Sequence, residues 1–272
     1  MAARIAGLAV DDERTMKNAL VIAGKELQSY FVQPVAYVVM AVFLLLAGWF
    51  FFSLLSRFDQ ILQIYIMMHN VQALERVNLN TMVVAPMLHD LAIVLVILVP
   101  AITMRAFAEE KRTGTYELLL TAPVRTGEVV AGKFIAAACF VLGMIVLSGV
   151  YAVILALYGN PEAGVMASGY LGLGLLGVCF VGVGLFTSSL TTNQIIAAIS
   201  CFGALLLLYV ISWPAEAAGA ATTAVLRYLS LPEHFDRMTQ GLIDSRDLVY
   251  LLSLVGVALF LTQRSVESAR WR

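Results

Sequence analysis

The run 35-VAYVVMAVFLLLAGWFFFSLLS-56 holds no charged residue in 22 positions. About 20 helical residues cross a hydrocarbon core of about 30 Å, so the run predicts a membrane-spanning helix. Pro34 stands at its start, where a missing N–H costs nothing. Similar runs recur along the chain. They predict spans at about 87–107, 134–158, 165–186, 195–213 and 248–263. The second starts somewhere between Met82 and Leu91, its edge blurred by Pro86, His89 and Asp90. Pro214 stops the fifth, and the sixth is the shortest, ending at Arg264. The fold class is therefore all-α integral membrane, with six transmembrane helices over residues 34–272.

Composition agrees. Of the 272 residues, 61% are hydrophobic and 13% charged, with a mean hydropathy of +0.89. Soluble domains run to about 45–50% apolar and about 25% charged. A net charge of −1 offers no basic field for nucleic acid. Cys139, Cys179 and Cys201 lie singly in apolar runs and read as small buried hydrophobes. Arg4, a short apolar patch and then Asp11-Asp12-Glu13 do not predict a secretory leader.

Basic residues set the orientation. With six spans, Arg4, Arg14, Lys17, Lys25, Arg105, Lys111, Arg112, Arg125, Lys133, Arg264, Arg270 and Arg272 share one side, twelve of the 17 Lys and Arg. Arg57, Arg76, Arg227, Arg237 and Arg246 fall on the other. The imbalance predicts cytoplasmic termini and a cytoplasmic 105–133 loop. Within residues 1–33, the stretch 11–33 reads as an amphipathic helix lying in the cytoplasmic interface, with an apolar stripe of Met16, Leu20, Ala23, Leu27 and Tyr30. On the outer side, 57–81 and 214–246 are too small for a domain and predict short helices covering the bundle.

The loop MRAFAEEKRTGTYELLLTAPVRTGEVVAGKF, residues 104–134, is the densest charge cluster. Arg105 to Arg112 continue the second span's helix, Gly114 interrupts it, and Thr115 can cap a short helix from Tyr116 to Leu120, closed by Pro123. Thr126 can cap the helix of the third span. Leu118, Leu119 and Leu120 beside charges read either as a docking surface for a cytoplasmic partner or as a loop packed under its own bundle.

Several literal motifs are rejected. Gly172, Gly174 and Gly177 spell GxGxxG inside an apolar span, where no strand precedes them. With Gly169, Gly182 and Gly184 they predict a smooth helix-packing face, and Ser168 and Ser188 extend its small-residue spacing. Gly127 to Lys133 spells GxxxxGK, but Phe134 stands where a magnesium-binding hydroxyl is required. This excludes ATP binding by the chain and makes Lys133 a span-boundary residue. His69, His89 and His234 have no metal-binding spacing. Ionisable residues within the spans are almost absent, which argues against a proton-driven carrier or simple channel. An intramembrane enzyme using Glu233, His234 or Asp236 is the remaining catalytic reading.

The 104–134 stretch resembles the cytoplasmic signature of ABC type-2 transporter permeases and, more narrowly, is similar to their gliding-motility-associated branch. Residues 25–52 (KELQSYFVQPVAYVVMAVFLLLAGWFFF), 184–199 (GLFTSSLTTNQIIAAI), 234–252 (HFDRMTQGLIDSRDLVYLL) and the ARW at 269–271 are similar in the same order. Residues 57–90 are longer and more divergent than the pattern and carry no implied role. The resemblance implies a six-helix permease with an N-terminal interfacial helix, working as a dimer with a second copy or a homologous permease in a bacterial cytoplasmic membrane. It implies a separate ABC ATPase that binds ATP and magnesium; the chain itself would hold no cofactor or metal and have no catalytic residues. Glu109, Glu110, Thr113, Gly114, Thr115, Tyr116, Glu117, Leu118, Leu119 and Leu120 would form the coupling element, and the turn from Ser188 to Gln194 would face the ATPase. A partner membrane subunit with an extracytoplasmic domain is expected for the branch. The implied function is export, with mechanotransmission to that partner as the alternative.

Overall fold

The computed structural model describes residues 2–69, 77–115, 125–214 and 219–268, with side chains from Thr15 onward except at 220 and 221. Within these residues the chain forms helices and no strand. Helix α1 covers Ala2–Val32, α2 Pro34–Met67, α3 Ala85–Thr103, α4 Arg105–Thr113 and α5 Thr126–Tyr158. Then come α6 Ala163–Leu190, α7 Gln194–Val210, α8 Ala220–Leu229, α9 Leu231–Thr239 and α10 Ser245–Ser268. A π-helical segment, Asn80–Val84, leads directly into α3.

Among the described residues, five helical stretches are long and apolar enough to cross a membrane: Pro34–Met67, Asn80–Thr113, Thr126–Tyr158, Ala163–Leu190 and Ser245–Ser268. The apolar helix α7 has 17 residues and is shorter. It stops at Val210, short of the expected 213, because the chain turns at 211–212 ahead of Pro214. The other helices overrun their predicted spans. Helix α2 continues past Ser56 through Arg57 and Asp59 to Met67, about 50 Å at about 1.5 Å per residue. The second stretch begins at Asn80, ahead of the expected start, and α5 begins two turns before Phe134. Arg125, not Thr126, takes the extended position preceding α5, and Glu128 turns back to accept from its N–H at 3.3 Å.

Burial is sparse on the rim and dense at the centre. On α2 only Ala36, Val39, Phe43, Ala47 and Phe51 are buried, one stripe, while Leu45, Trp49 and Phe52 are more than 70% exposed. A charge-free stretch such as 35–56 with an exposed aromatic flank is stable against lipid and not against water. Helix α6 is the axis. It packs against α3, α4, α5, α7, α9 and α10, and it can because its glycines admit neighbours. A Cβ on Gly172 would meet Met238 at 2.9 Å, on Gly177 Val141 at 3.0 Å, on Gly182 Ala258 at 3.4 Å, and on Gly184 Thr103 Oγ1 at 2.2 Å. These contacts reach α9, α5, α10 and α3 in turn. The glycines thus ring the helix and do not form the single smooth face expected from their spacing.

Two further expectations are corrected. The stripe on α1 holds in its second half and fails in its first: Ala23 is buried and Leu27 and Tyr30 pack against the core, whereas Met16 and Leu20 are 67% and 59% exposed and Ala19 is buried instead. Helix α1 lies along α5, so closely that a Cβ on Gly132 would meet Ile22 at 2.7 Å and the Ala19 carbonyl at 2.9 Å. Small residues let the backbones approach, which a search for bulky apolar positions does not reveal. Among the cysteines, Cys179 and Cys201 are buried and Cys139 is exposed.

Candidate coupling site

The charged end of the bundle is built from α4, the start of α5, α1 and the end of α6. Pro100 interrupts α3 from within, removing one N–H from the helical ladder. The chain turns at Met104, and α4 restarts at Arg105. Ser188 of α6 completes the joint. Its hydroxyl accepts from the N–H groups of Phe107 and Ala108 at 3.1 and 3.2 Å and donates to the Met104 carbonyl at 3.0 Å. It acts as an N-cap supplied by another helix. The Lys111 ammonium donates to the Ser189 carbonyl, a cation at the C-terminal end of α6, where the helix dipole favours one.

An ion cluster ties this joint to two more helices. Lys133 of α5 is 3% exposed and lies 2.8 Å from Glu26 of α1 and 2.7 Å from Glu110 of α4. Its ammonium sits 5.4 Å from the centre of the Phe107 ring, a cation–π distance. Arg105 donates to Gln33. Asn18 donates to Glu128 at 3.0 Å, so the same carboxylate that closes the α5 start also fastens α1. A polar cleft of about 290 Å³ runs between α1 and α4, with Glu109, Glu110 and Lys133 on its walls.

One phenol and one carboxylate show how burial and hydrogen bonding act outside the spans. Burial, reinforced by the charge of Glu26, pushes the Tyr30 phenol up from its ordinary range. The Arg246 N–H holds Asp244, at the turn before α10, below the usual carboxylate range.

The structure separates the residues expected to meet an ATPase. Glu109 and Glu110 line the cleft. Thr113, Gly114 and Thr115 are exposed at its edge, with the Thr113 and Thr115 hydroxyls 2.9 Å apart. Gly114 closes α4 at φ 74°, a left-handed position that glycine adopts without strain. Tyr116, Glu117, Leu118, Leu119 and Leu120 lie outside the described residues. Ser188 and Ser189 are completely buried and present nothing to a partner, so of the 188–194 turn only the later residues, with Thr192 and Asn193 exposed, are open to one. Leu190 is exposed, and Asn193 caps α7 by accepting from the Ile195 N–H at 2.9 Å.

Lys133 is therefore no simple boundary marker. It is buried and held by two carboxylates at once. Its partners stand 107 and 23 residues away, which no local pattern exposes. Its place in the GKF triplet, two turns into an apolar helix, is the one signal that sequence offered.

At the opposite end a second polar knot was missed. Asp247, fully buried, accepts from His234 at 2.6 Å and from Arg237 at 2.6 Å. The other His234 nitrogen lies 2.9 Å from the Tyr228 carbonyl, and its ring stacks on Tyr250 at 4.1 Å. Both ring nitrogens are thus engaged, which suits a lock between α9 and α10 better than a proton shuttle. Glu233 faces Arg227 at 4.0 Å, and Asp236 lies 3.2 Å from His89. The three candidates for an enzyme thus point to three different partners. Among the described residues, no group of three or more His, Cys, Asp or Glu is placed to hold a metal.

Comparison with known proteins bears on this geometry. A family model described as ABC-2 family transporter protein matches residues 20–263. The probable multidrug ABC transporter permease YbhR of Escherichia coli K12 is 32% identical over 115 residues, as is its counterpart in strain O157:H7. Each alignment covers 41% of this chain and 30% of the relative, so the chain spans under a third of the length of these curated relatives.

Proposed function

The chain belongs to the ABC-2 family of transporter proteins, and from that membership we propose that it is the permease subunit of an ATP-driven exporter of the gliding-motility-associated branch. It is a multi-pass membrane protein of the cell membrane, and its family implies partnership with an ABC ATPase subunit. In our reading α7 provides a sixth crossing, α1 lies in the interface, and both termini face the cytoplasm of a bacterial inner membrane. A second permease copy or a homologous permease completes the pathway. ATP and magnesium belong to the partner ATPase.

One observation carries the coupling role. Helix α4, which ends at Gly114 immediately before the Tyr116–Leu120 segment, is bonded to three other helices at once: α1 and α5 through Lys133, and α6 through Ser188 and Ser189. A push on the segment after Gly114 would reach α1, α5 and α6 together, because hydrogen bonds to charged groups and close packing resist independent movement. The exposed Thr113-Gly114-Thr115 edge and the leucines of residues 118–120 then form the docking element.

The test is co-purification with the candidate ATPase and measurement of ATP turnover for wild type and Leu119→Asp. A carboxylate forced into an apolar groove is expected to weaken assembly by about tenfold or more. Equal assembly and equal turnover would overturn the docking role. Substrate-stimulated ATP turnover, or uptake into inside-out vesicles, supports export; turnover that responds only to an extracytoplasmic partner would refute it.

A further inference from the structure

At the end of the bundle opposite α4, a cleft of about 650 Å³ opens between the π-helical segment Asn80–Val84, the start of α6 and the end of α9. Asn80 forms part of its wall. This side chain is 3% exposed, and neither its Oδ1 nor its Nδ2 has a hydrogen-bond partner. A buried amide with no partner is costly, and π-helical turns occur frequently at functional sites. The two features coincide at one residue, beside a cavity within the usual size range of small-molecule sites, about 300–1,000 Å³.

The lining specifies the chemistry of a ligand. The exposed carboxylate of Glu162, at the N-terminal edge of α6, has no hydrogen-bond or ion-pair partner among the described residues. Asp236 is held by His89 at 3.2 Å and by Gln240 Nε2 at 2.9 Å, which leaves Gln240 Oε1 unused. Among the described residues, no Lys or Arg lines the cleft. Two carboxylates against one imidazole disfavour phosphate or carboxylate ligands and favour an ammonium. The free amide of Asn80 both donates and accepts, as a hydroxyl group requires. Pro86 adds an apolar wall for carbon-bound hydrogens. We propose that this cleft binds a non-anionic group of about monosaccharide size carrying hydroxyls and an amine, for which an amino sugar is the simplest representative. Such a group can arrive free in solution or as a lipid headgroup. The proposal does not rest on ATPase coupling.

The full chain in phosphatidylcholine nanodiscs is titrated with glucosamine by saturation-transfer NMR. Glucosamine 6-phosphate serves as the anionic control, and a second arm uses a glucosamine-headed lipid placed in the nanodisc. Saturable glucosamine binding is expected, weakened at least about tenfold by Glu162→Gln and by Asn80→Leu, and at least about tenfold weaker for the phosphate ester. Binding in the lipid arm alone identifies the membrane as the source and supports the site. Without ligand, Asn80→Leu should also raise the thermal midpoint, since it removes an unpaired buried amide. Absence of saturable binding in both arms, preference for the phosphate ester, or binding untouched by Glu162→Gln would overturn the proposal. Should Asn80→Leu fail to fold, Glu162→Gln decides alone, because its side chain is exposed and carries no packing.

Discussion

Replacing Lys133 by Met tests whether α1, α4 and α5 are fastened by charge or only by packing. Met keeps most of the volume and the contact with Phe107. It leaves Glu26 and Glu110 facing each other without their cation. Removing one partner of a buried ion pair costs about 3–5 kcal/mol. Here the two carboxylates remain 23% and 22% exposed, so water and protonation relieve part of the penalty and about 2–3 kcal/mol remains. For chains of this size about 1 kcal/mol moves the thermal midpoint by about 2–4 °C. Lys133→Met should therefore unfold roughly 5–10 °C below wild type, read by tryptophan fluorescence in nanodiscs. Adding Glu110→Gln should return part of the loss, since one unpaired charge disappears. A double-mutant cycle should then give a coupling energy of about 1–2 kcal/mol. A shift under about 2 °C, or strictly additive variants, would refute the cluster as a fastening and leave packing as the explanation.

Other substitutions probe the remaining joints. Gly184→Ala forces a Cβ to 2.2 Å from Thr103 Oγ1 and should cost about 1–3 kcal/mol by overpacking; Gly143→Ala, with nothing within 4 Å, should instead stabilise by up to about 1 kcal/mol through helix propensity, and thermal melts of the pair separate the two effects. Ser188→Ala strips the cap from Phe107 and Ala108 and should cost about 1–3 kcal/mol while lowering coupled ATP turnover in the assembled complex. Asp247→Asn removes the charge that holds Arg237 and His234; with Arg237 41% exposed, a loss of about 2–3 kcal/mol is expected in the same melt, and a neutral result would mean that the stacked Tyr250 alone orders His234.

The apolar crossings were legible because hydropathy measures what lipid requires. Helix ends were not, because hydropathy is silent once a helix leaves the hydrocarbon. Nothing in the apolar pattern of Val35 to Ser56 tells that α2 continues through Arg57 and Asp59 to Met67. The first half of the α1 stripe failed for a related reason. Met16 and Leu20 are apolar yet exposed, while the buried position beside them is Ala19, whose backbone lies against Gly132, a fit that rewards closeness and not bulk. The local feature at Gly114 was legible, since a helix ending in charged residues before glycine has one common solution. The ion cluster and the Asp247 knot were not. Glu26, Glu110 and Lys133 meet only through tertiary packing, and Asp247 looks in sequence like any acid in a first helical turn. Likewise Asn80 carries no signal until its amide is seen to lack a partner.

Helix α6 connects these findings. It has no charged residue between Ala163 and Leu190, yet both polar ends of the bundle are bonded to it. At one end Ser188 and Ser189 hold α4. At the other, Ser168 donates to the Met238 carbonyl at 2.9 Å, and Gly172 lies directly against Met238 and Phe235. Both residues belong to α9, the helix that carries Asp236, beside Gln240 at its end. Between these points α6 is a rod of 28 residues, about 42 Å long at about 1.5 Å per residue, enclosed by glycine-mediated contacts too tight to compress. The polar cleft and the charged joint, although at opposite ends, are therefore both fastened to one helix.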